Sequence, residues 1–200
     1  LRMRDKWKGF PLETRRLDVS DYSEAEKFFK EFNETHPSLE TLVNCAGIRK
    51  DNIVGMMSFE EWTRVMDVNI TGTFNMSKFA LIKMMENRFG RIINVTSPSG
   101  KFGFAGQANY AASKAAQVAF SKSLAKEAAR LGITVNCISP GFIDTELISD
   151  LPEEQKKAYK EQIPLRRFGS TKEAADATLF LASREASYIT GSVFEVTGGF

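Results

Sequence analysis

The sequence predicts an α/β fold, a doubly wound parallel sheet in a single domain over residues 1–200. Three observations predict it. Short apolar runs such as Ile133–Ile138 alternate with longer segments of helical period. The helix-start signatures Asp21-x-x-Glu24, Ser58-x-x-Glu61 and Ser170-x-x-Glu173 fall between those runs. The order reads β-α-β-α-β-α-β-α-β, for which buried parallel strands with crossover helices are the simplest packing.

Taken in order, Leu12–Val19 reads as an edge strand carrying Arg15 and Arg16. Asp21-x-x-Glu24 then caps a helix over 22–34, whose Ala25, Phe28, Phe29 and Phe32 share one face. His36-Pro37 ends it. Leu42-Val43 begins a buried strand that stops at Asn44-Cys45-Ala46-Gly47. Ser58-x-x-Glu61 caps the next helix, and a further helical stretch runs from Asn69 to Asn87 with Gly72 interrupting it. Arg91–Ser97 is β-rich, and Pro98–Gly106 is a glycine-containing loop. A long helix over 107–131 ends at Gly132, placed as a C′ glycine. Ile133–Ile138 is a buried strand stopped by Pro140-Gly141. A polar, mobile insert fills 144–165, where Leu147, Ile148, Leu151, Tyr159 and Ile163 either form a lid or pack a helix onto the body. Ser170-x-x-Glu173 caps a last helix, and Ser192–Val196 is a last strand.

Composition excludes several function classes. Lys and Arg number 27 against 25 Asp and Glu, so the net charge of +2 gives no reason to expect nucleic acid. No apolar run reaches the roughly 18 residues of a membrane span; Phe74–Met85 is broken by Lys78 and Lys83. Cys45 and Cys137 are too few for a disulfide framework, and free thiols point to a reducing, cytoplasmic setting. His36 is the sole histidine and reads as solvated, so no metal site is expected. The opening LRMRDKWKGF has no apolar signal region and no initiator Met, which implies a natural start upstream.

In parallel α/β sheets, ligands bind beyond the carboxyl ends of the strands. Asp18, Asn44–Gly47, Ser97 and Pro140-Gly141 stand at those ends and form one crevice. Tyr110 and Lys114, four residues apart, share a helix face there. An ammonium beside a phenol stabilises the phenolate and lowers its pKa, suiting it to general acid–base work. Taken alone, such a pair also fits an ordinary helix surface. Ser97 brings a hydroxyl to the same point.

The succession NCAG, an Asn69 helix, RIINVTS, YAASK and SPG resembles the short-chain dehydrogenase/reductase family from Leu17 to the last residue. LVNCAGIRKDN, GQANYAASKAA, LAKEAARLGITVNCISPGFIDTEL, IPLRRFG and ASYITGSVFEVTGG are most similar to its bacterial 3-oxoacyl-(acyl-carrier-protein) reductases. The resemblance implies a Rossmann-like fold and NADPH-dependent reduction of a 3-oxoacyl group on acyl carrier protein in fatty-acid biosynthesis, with NADH not excluded. It implies that Tyr110 protonates the carbonyl oxygen and that Ser97 positions the carbonyl. Lys114 would lower the Tyr110 pKa and bind the nicotinamide ribose, and Asn69 would hold a water linking Lys114 to solvent. For the cofactor, it places Asp18 and Val19 at the adenine and the backbone of Asn44, Cys45, Ala46 and Gly47 alongside. Pro140, Gly141 and Ile143 would lie at the nicotinamide and Thr145 toward the pyrophosphate. A homotetramer is implied, with some of Phe74, Phe79, Phe102, Phe104 and Phe120 at its interfaces.

Three departures stand out. Cys45 replaces an Asn of the family's NNAG, and Pro98 holds Ser97 extended. The family's TGxxxGxG phosphate loop is absent, so the sequence reads as lacking its first β-α unit. Arg2 and Arg4 are candidate partners for a 2′-phosphate. Lys122, Lys126 and Arg130 make a basic stripe that suits an acidic carrier protein or is simply solvated, and Arg88 and Arg91 extend it. Two other functions remain open: a related dehydrogenase of sugars, polyols or steroids, and a catalytically silent assembly subunit of the same fold.

Overall fold

The computed structural model describes residues 12–149 and 152–200. Arg2, Arg4 and Leu151 lie outside the described residues, as does the side chain of Leu147. The elements, in chain order, are α1 (Tyr22–Thr35), β1 (Thr41–Asn44), α2 (Phe59–Met66), α3 (Gly72–Asn87), β2 (Gly90–Val95), α4 (Ser99–Phe102) and α5 (Ala108–Ala128). β3 (Ile133–Pro140), α6 (Glu146–Ser149), α7 (Glu153–Gln162), α8 (Thr171–Ala182) and β4 (Val193–Val196) follow. A π-helical turn, Asp67–Thr71, joins α2 to α3.

The four strands form one parallel sheet in the order β1-β2-β3-β4. Side-chain alternation along buried strands sends residues to opposite faces. Ile92, Ile133 and Val135 therefore pack under Phe29, Ala80, Met84, Leu124 and Ala128 of α1, α3 and α5. Ile93 and Ile138 pack on the other face against Leu181 of α8. The doubly wound α/β architecture read from the sequence is the one observed.

Local differences from the sequence reading have physical causes. Leu12–Val19 is not a strand: a strand needs a ladder partner, and among the described residues none runs beside it. β1 is consequently half covered, and Val43, expected buried, is 42% exposed. Asp21 accepts from the Ser23 and Glu24 backbones, but Glu24 reaches the Asp18 N–H (2.9 Å) instead of closing a capping box. The boxes at Ser58/Glu61 and Ser170/Glu173 are both closed. The 98–106 loop contains the helical turn α4. The 144–165 insert holds two helices, α6 and α7, and Ile148 and Ile163 are buried against the body. Tyr159 stacks on Phe142 at 4.7 Å.

Gly132 ends the α5 segment with φ +74°, and an added Cβ would fall against the Arg88 carbonyl oxygen. A non-glycine residue held there costs about 1–3 kcal/mol. Gly132→Ala should lower urea-unfolding stability by that amount with an unchanged m-value. Gly55→Ala, with nothing within 4 Å of its Cβ, should stay within about 0.5 kcal/mol.

Candidate active site

Parallel strands deliver their carboxyl ends to one edge of the sheet. The register pairs Asn44 with Asn94, Val95 with Ile138 and Pro140 with Val196, so Asn44–Gly47, Ser97 and Pro140-Gly141 leave the sheet together. The first turns of α5 lie over this edge. Asn109 pins them there, donating to the carbonyls of Lys50 (2.9 Å) and Glu61 (3.3 Å).

Lys114 is buried, and its Nζ donates to the Val95 carbonyl (2.8 Å) and to Gln117 Oε1 (3.1 Å). Burial lowers its pKa to about 8, against which the nearby Cys45 and Cys137 thiols act weakly. Tyr110 is half-buried, with Lys114 Nζ 5.6 Å from its ring centroid. Burial raises the phenol pKa, and the neighbouring Ser97 hydroxyl is the largest opposing influence. The sequence reading had Lys114 lowering this pKa. The structure reverses the direction, because the ammonium is turned to Val95 and Gln117 and desolvation of the phenol dominates. A phenol that stays protonated is in the state a proton donor requires. Ser97 Oγ also contacts Ser99 Oγ (3.2 Å), which reaches Gln107 Oε1 (3.2 Å).

Asn69 is fully buried in the π-helical turn, a geometry often met at functional sites. Its side chain accepts from Ile48 N (2.8 Å) and donates to Ile48 O (3.0 Å) and Ser113 Oγ (2.9 Å). Its carbonyl accepts from Thr73 Oγ1 (2.7 Å) and Gln117 Nε2 (2.9 Å). The connection from Asn69 toward Lys114 thus runs through the Gln117 amide.

The remaining candidates divide between the cleft and the scaffold. Asn44 spends its side chain in the core, donating to Ser77 Oγ (2.9 Å) and Asn94 Oδ1 (2.8 Å). Cys45, Ala46 and Gly47 are exposed. A Cβ on Gly47 would stand 3.4 Å from both Lys114 Nζ and Asn69 Oδ1, so only bare backbone separates this loop from the site. Asp18 already accepts from Ser20 Oγ (2.6 Å) and Arg64 Nη2 (3.2 Å), and those bonds lower its pKa. Val19 packs on Gly72, where a Cβ would meet Val19 Cγ2 at 2.6 Å. Pro140 and Gly141 are half-buried, Ile143 bridges to Gly169, and Thr145 is exposed just before α6. Among the described residues, no group of three His, Cys, Asp or Glu side chains is arranged to hold a metal.

Gln117, Ser113 and Ser121 escaped the sequence reading. With Asn109 they recur every four residues and are buried on the inner face of α5. That spacing was the available signal. The basic stripe on the same helix is exposed at Lys122, Lys126 and Arg130, and Arg88 joins it by donating to the Arg130 carbonyl (2.8 Å). Arg91, expected to extend the stripe, is buried and donates to the Ser183 carbonyl (3.1 Å).

Residues 3–200 match a family model described as enoyl-(acyl carrier protein) reductase. The chain is 46% identical over 183 residues to the 3-oxoacyl-(acyl-carrier-protein) reductase FabG of Vibrio cholerae, covering 92% of this chain and 75% of the relative. Identity to the Aquifex aeolicus enzyme of the same name is 48% over 173 residues, covering 86% and 70%. For that of Haemophilus influenzae it is 45% over 195 residues, covering 98% and 78%.

The depressed lysine gives a stability signature. Between about 8 and the usual 10.5, the unfolded chain binds a proton that the folded chain does not, so this group makes stability rise with pH across that window. The unfolding free energy of wild type minus that of Lys114→Met should therefore climb from pH 8 to pH 10. A flat difference would contradict the burial effect.

Proposed function

The chain belongs to the short-chain dehydrogenase/reductase family, and from that membership we propose that it reduces 3-oxoacyl-(acyl-carrier-protein) to the 3-hydroxyacyl form with NADPH in fatty-acid biosynthesis. The observation that carries this reading is the convergence of the Ser97 hydroxyl and the protonated Tyr110 phenol at the end of β2, with a buried ammonium behind them. Two hydroxyls at one point suit one carbonyl oxygen, Ser97 orienting it and Tyr110 giving it a proton.

The residues present fit a nicotinamide dinucleotide. The exposed Ala46-Gly47 backbone adjoins Lys114 and Asn69 with no side chain between, and the half-buried Pro140-Gly141 lies on the same edge. Lys114 and the Asn44–Gly47 backbone would hold the cofactor, with Asp18 and Val19 toward its adenine, Pro140, Gly141 and Ile143 at the nicotinamide, and Thr145 toward the pyrophosphate. When bound, the cofactor supplies the hydride that adds to the carbonyl carbon. Lys114 directs two of its N–H groups into the protein, which leaves the third for the cleft.

The exposed Lys122, Lys126 and Arg130 support docking of an acidic carrier protein. A cytoplasmic homotetramer accompanies this reading; the exposed Phe74, Ile82 and Met85 of α3 support an interface between copies. The name of the matching family model favours a second reading, reduction of an enoyl thioester. Product analysis with acetoacetyl and crotonoyl thioesters decides between them. Sugars or steroids turned over in preference to both would sink either.

Tyr110→Phe should keep NADPH affinity within a few-fold and lower kcat by about 10²–10⁴; near-wild-type kcat would remove Tyr110 as the acid. Joint substitution of Lys122, Lys126 and Arg130 by Glu should raise KM for the carrier-protein substrate while leaving KM for a free acetoacetyl thioester unchanged. The wild-type KM for the carrier substrate should itself rise with salt.

A further inference from the structure

Gln117 occupies a position that the family reading does not assign. It lies one helical turn beyond Lys114 and is fully buried. Its Oε1 accepts from Lys114 Nζ (3.1 Å), while its Nε2 donates to the Asn69 carbonyl (2.9 Å) and to Thr73 Oγ1 (2.6 Å). This orientation of the amide is the only one the neighbours allow. An ammonium can only donate and a carbonyl can only accept, so the oxygen must face Lys114 and the nitrogen Asn69. Thr73 completes the arrangement, its hydroxyl donating to the Asn69 carbonyl (2.7 Å) while it accepts from Gln117.

We infer that Gln117 is a positioning residue that holds the Lys114 ammonium charged and aimed at the cleft, and ties it to the π-helical turn at Asn69. Among the described residues, two oxygens accept from this ammonium, the Val95 carbonyl and Gln117 Oε1, and both are neutral. The titratable groups facing it are the Tyr110 phenol from its own helix, Cys45 from the end of β1 and Cys137 from β3. Val95 of β2 and Asn69 of the π-helical turn present uncharged groups. No carboxylate among the described residues forms an ion pair with it, so the amide oxygen supplies half of the direct protein acceptors for the charge. Burial of the amine already favours its neutral form, and Gln117 opposes that tendency without adding a second charge.

The inference rests on the reductase reading only for its kinetic consequence, and the test keeps the two apart. Cε-labelled lysine in the full chain, without cofactor, reports the Lys114 titration by NMR, with Lys114→Met assigning the signal. Gln117→Met, of similar length but without an acceptor, should lower the Lys114 titration midpoint by about one pH unit. Gln117→Glu should raise it, because a carboxylate favours the ammonium. In NADPH-dependent turnover, the alkaline limb of the kcat profile should move the same way in each variant. A residue that merely fills space would give neither the shifts nor their opposite signs. An unshifted lysine midpoint in either folded variant overturns the inference, and so does failure of both variants to fold, which would make Gln117 part of the scaffold. Absence of turnover in the wild-type chain would overturn the reductase reading, while the NMR titration still decides the role of Gln117.

Discussion

A charged amine can be buried without a counter-ion only if oxygens are placed to receive its protons, and the site is organised around that requirement at Lys114. One oxygen comes from the last residue of β2 and the other from a side chain one turn along α5. The strand end, the helix and the π-helical turn are thereby locked into one geometry. Among the described residues, no buried side-chain nitrogen or oxygen lacks a hydrogen-bond partner. Because a half-satisfied buried network is costly, each member restricts the positions of the others, and the Tyr110–Ser97 pair inherits that rigidity.

The inner face of α5 shows how the constraint is built into one element. Asn109, Ser113, Lys114, Gln117 and Ser121 line it over the crevice, and Leu124, Ala125 and Ala128 continue it into the apolar core. The helix is a chemical surface at one end and a packing surface at the other. Ser121 marks the change, accepting from Asn94 (2.7 Å) and from Cys137 (3.1 Å) while donating to the Gln117 carbonyl (2.7 Å). Through Asn94 the chain of polar contacts reaches Asn44 at the end of β1, so the loop that passes the cleft is anchored to the same network as the lysine.

The Tyr110 phenol illustrates why spacing alone is an incomplete guide to electrostatics. Four residues on a helix place two side chains on one face, but their ends are free to turn to different partners. Lys114 turns to Val95 and Gln117, and the phenol, left with Ser97, responds to its own desolvation. The two groups are pushed in opposite directions, each toward its neutral form, as burial requires.

The sequence by itself determined the elements whose signals are local. The apolar runs of β2 and β3, the capping boxes at Ser58 and Ser170, the C′ glycine at Gly132 and the positions of Ser97, Tyr110 and Lys114 were all legible. Each depends on residues within a few positions of one another. Tertiary structure alone decided the status of Leu12–Val19 and β1, since a strand exists only with its ladder neighbour. It also decided the helical packing of the 144–165 insert, the burial of Arg91, the direction of the Tyr110 shift and the role of Gln117. Those properties depend on what lies across space from a residue. A glutamine on a helix carries no mark of whether its amide faces water or a buried ammonium until the strand and the π-helical turn are brought against it.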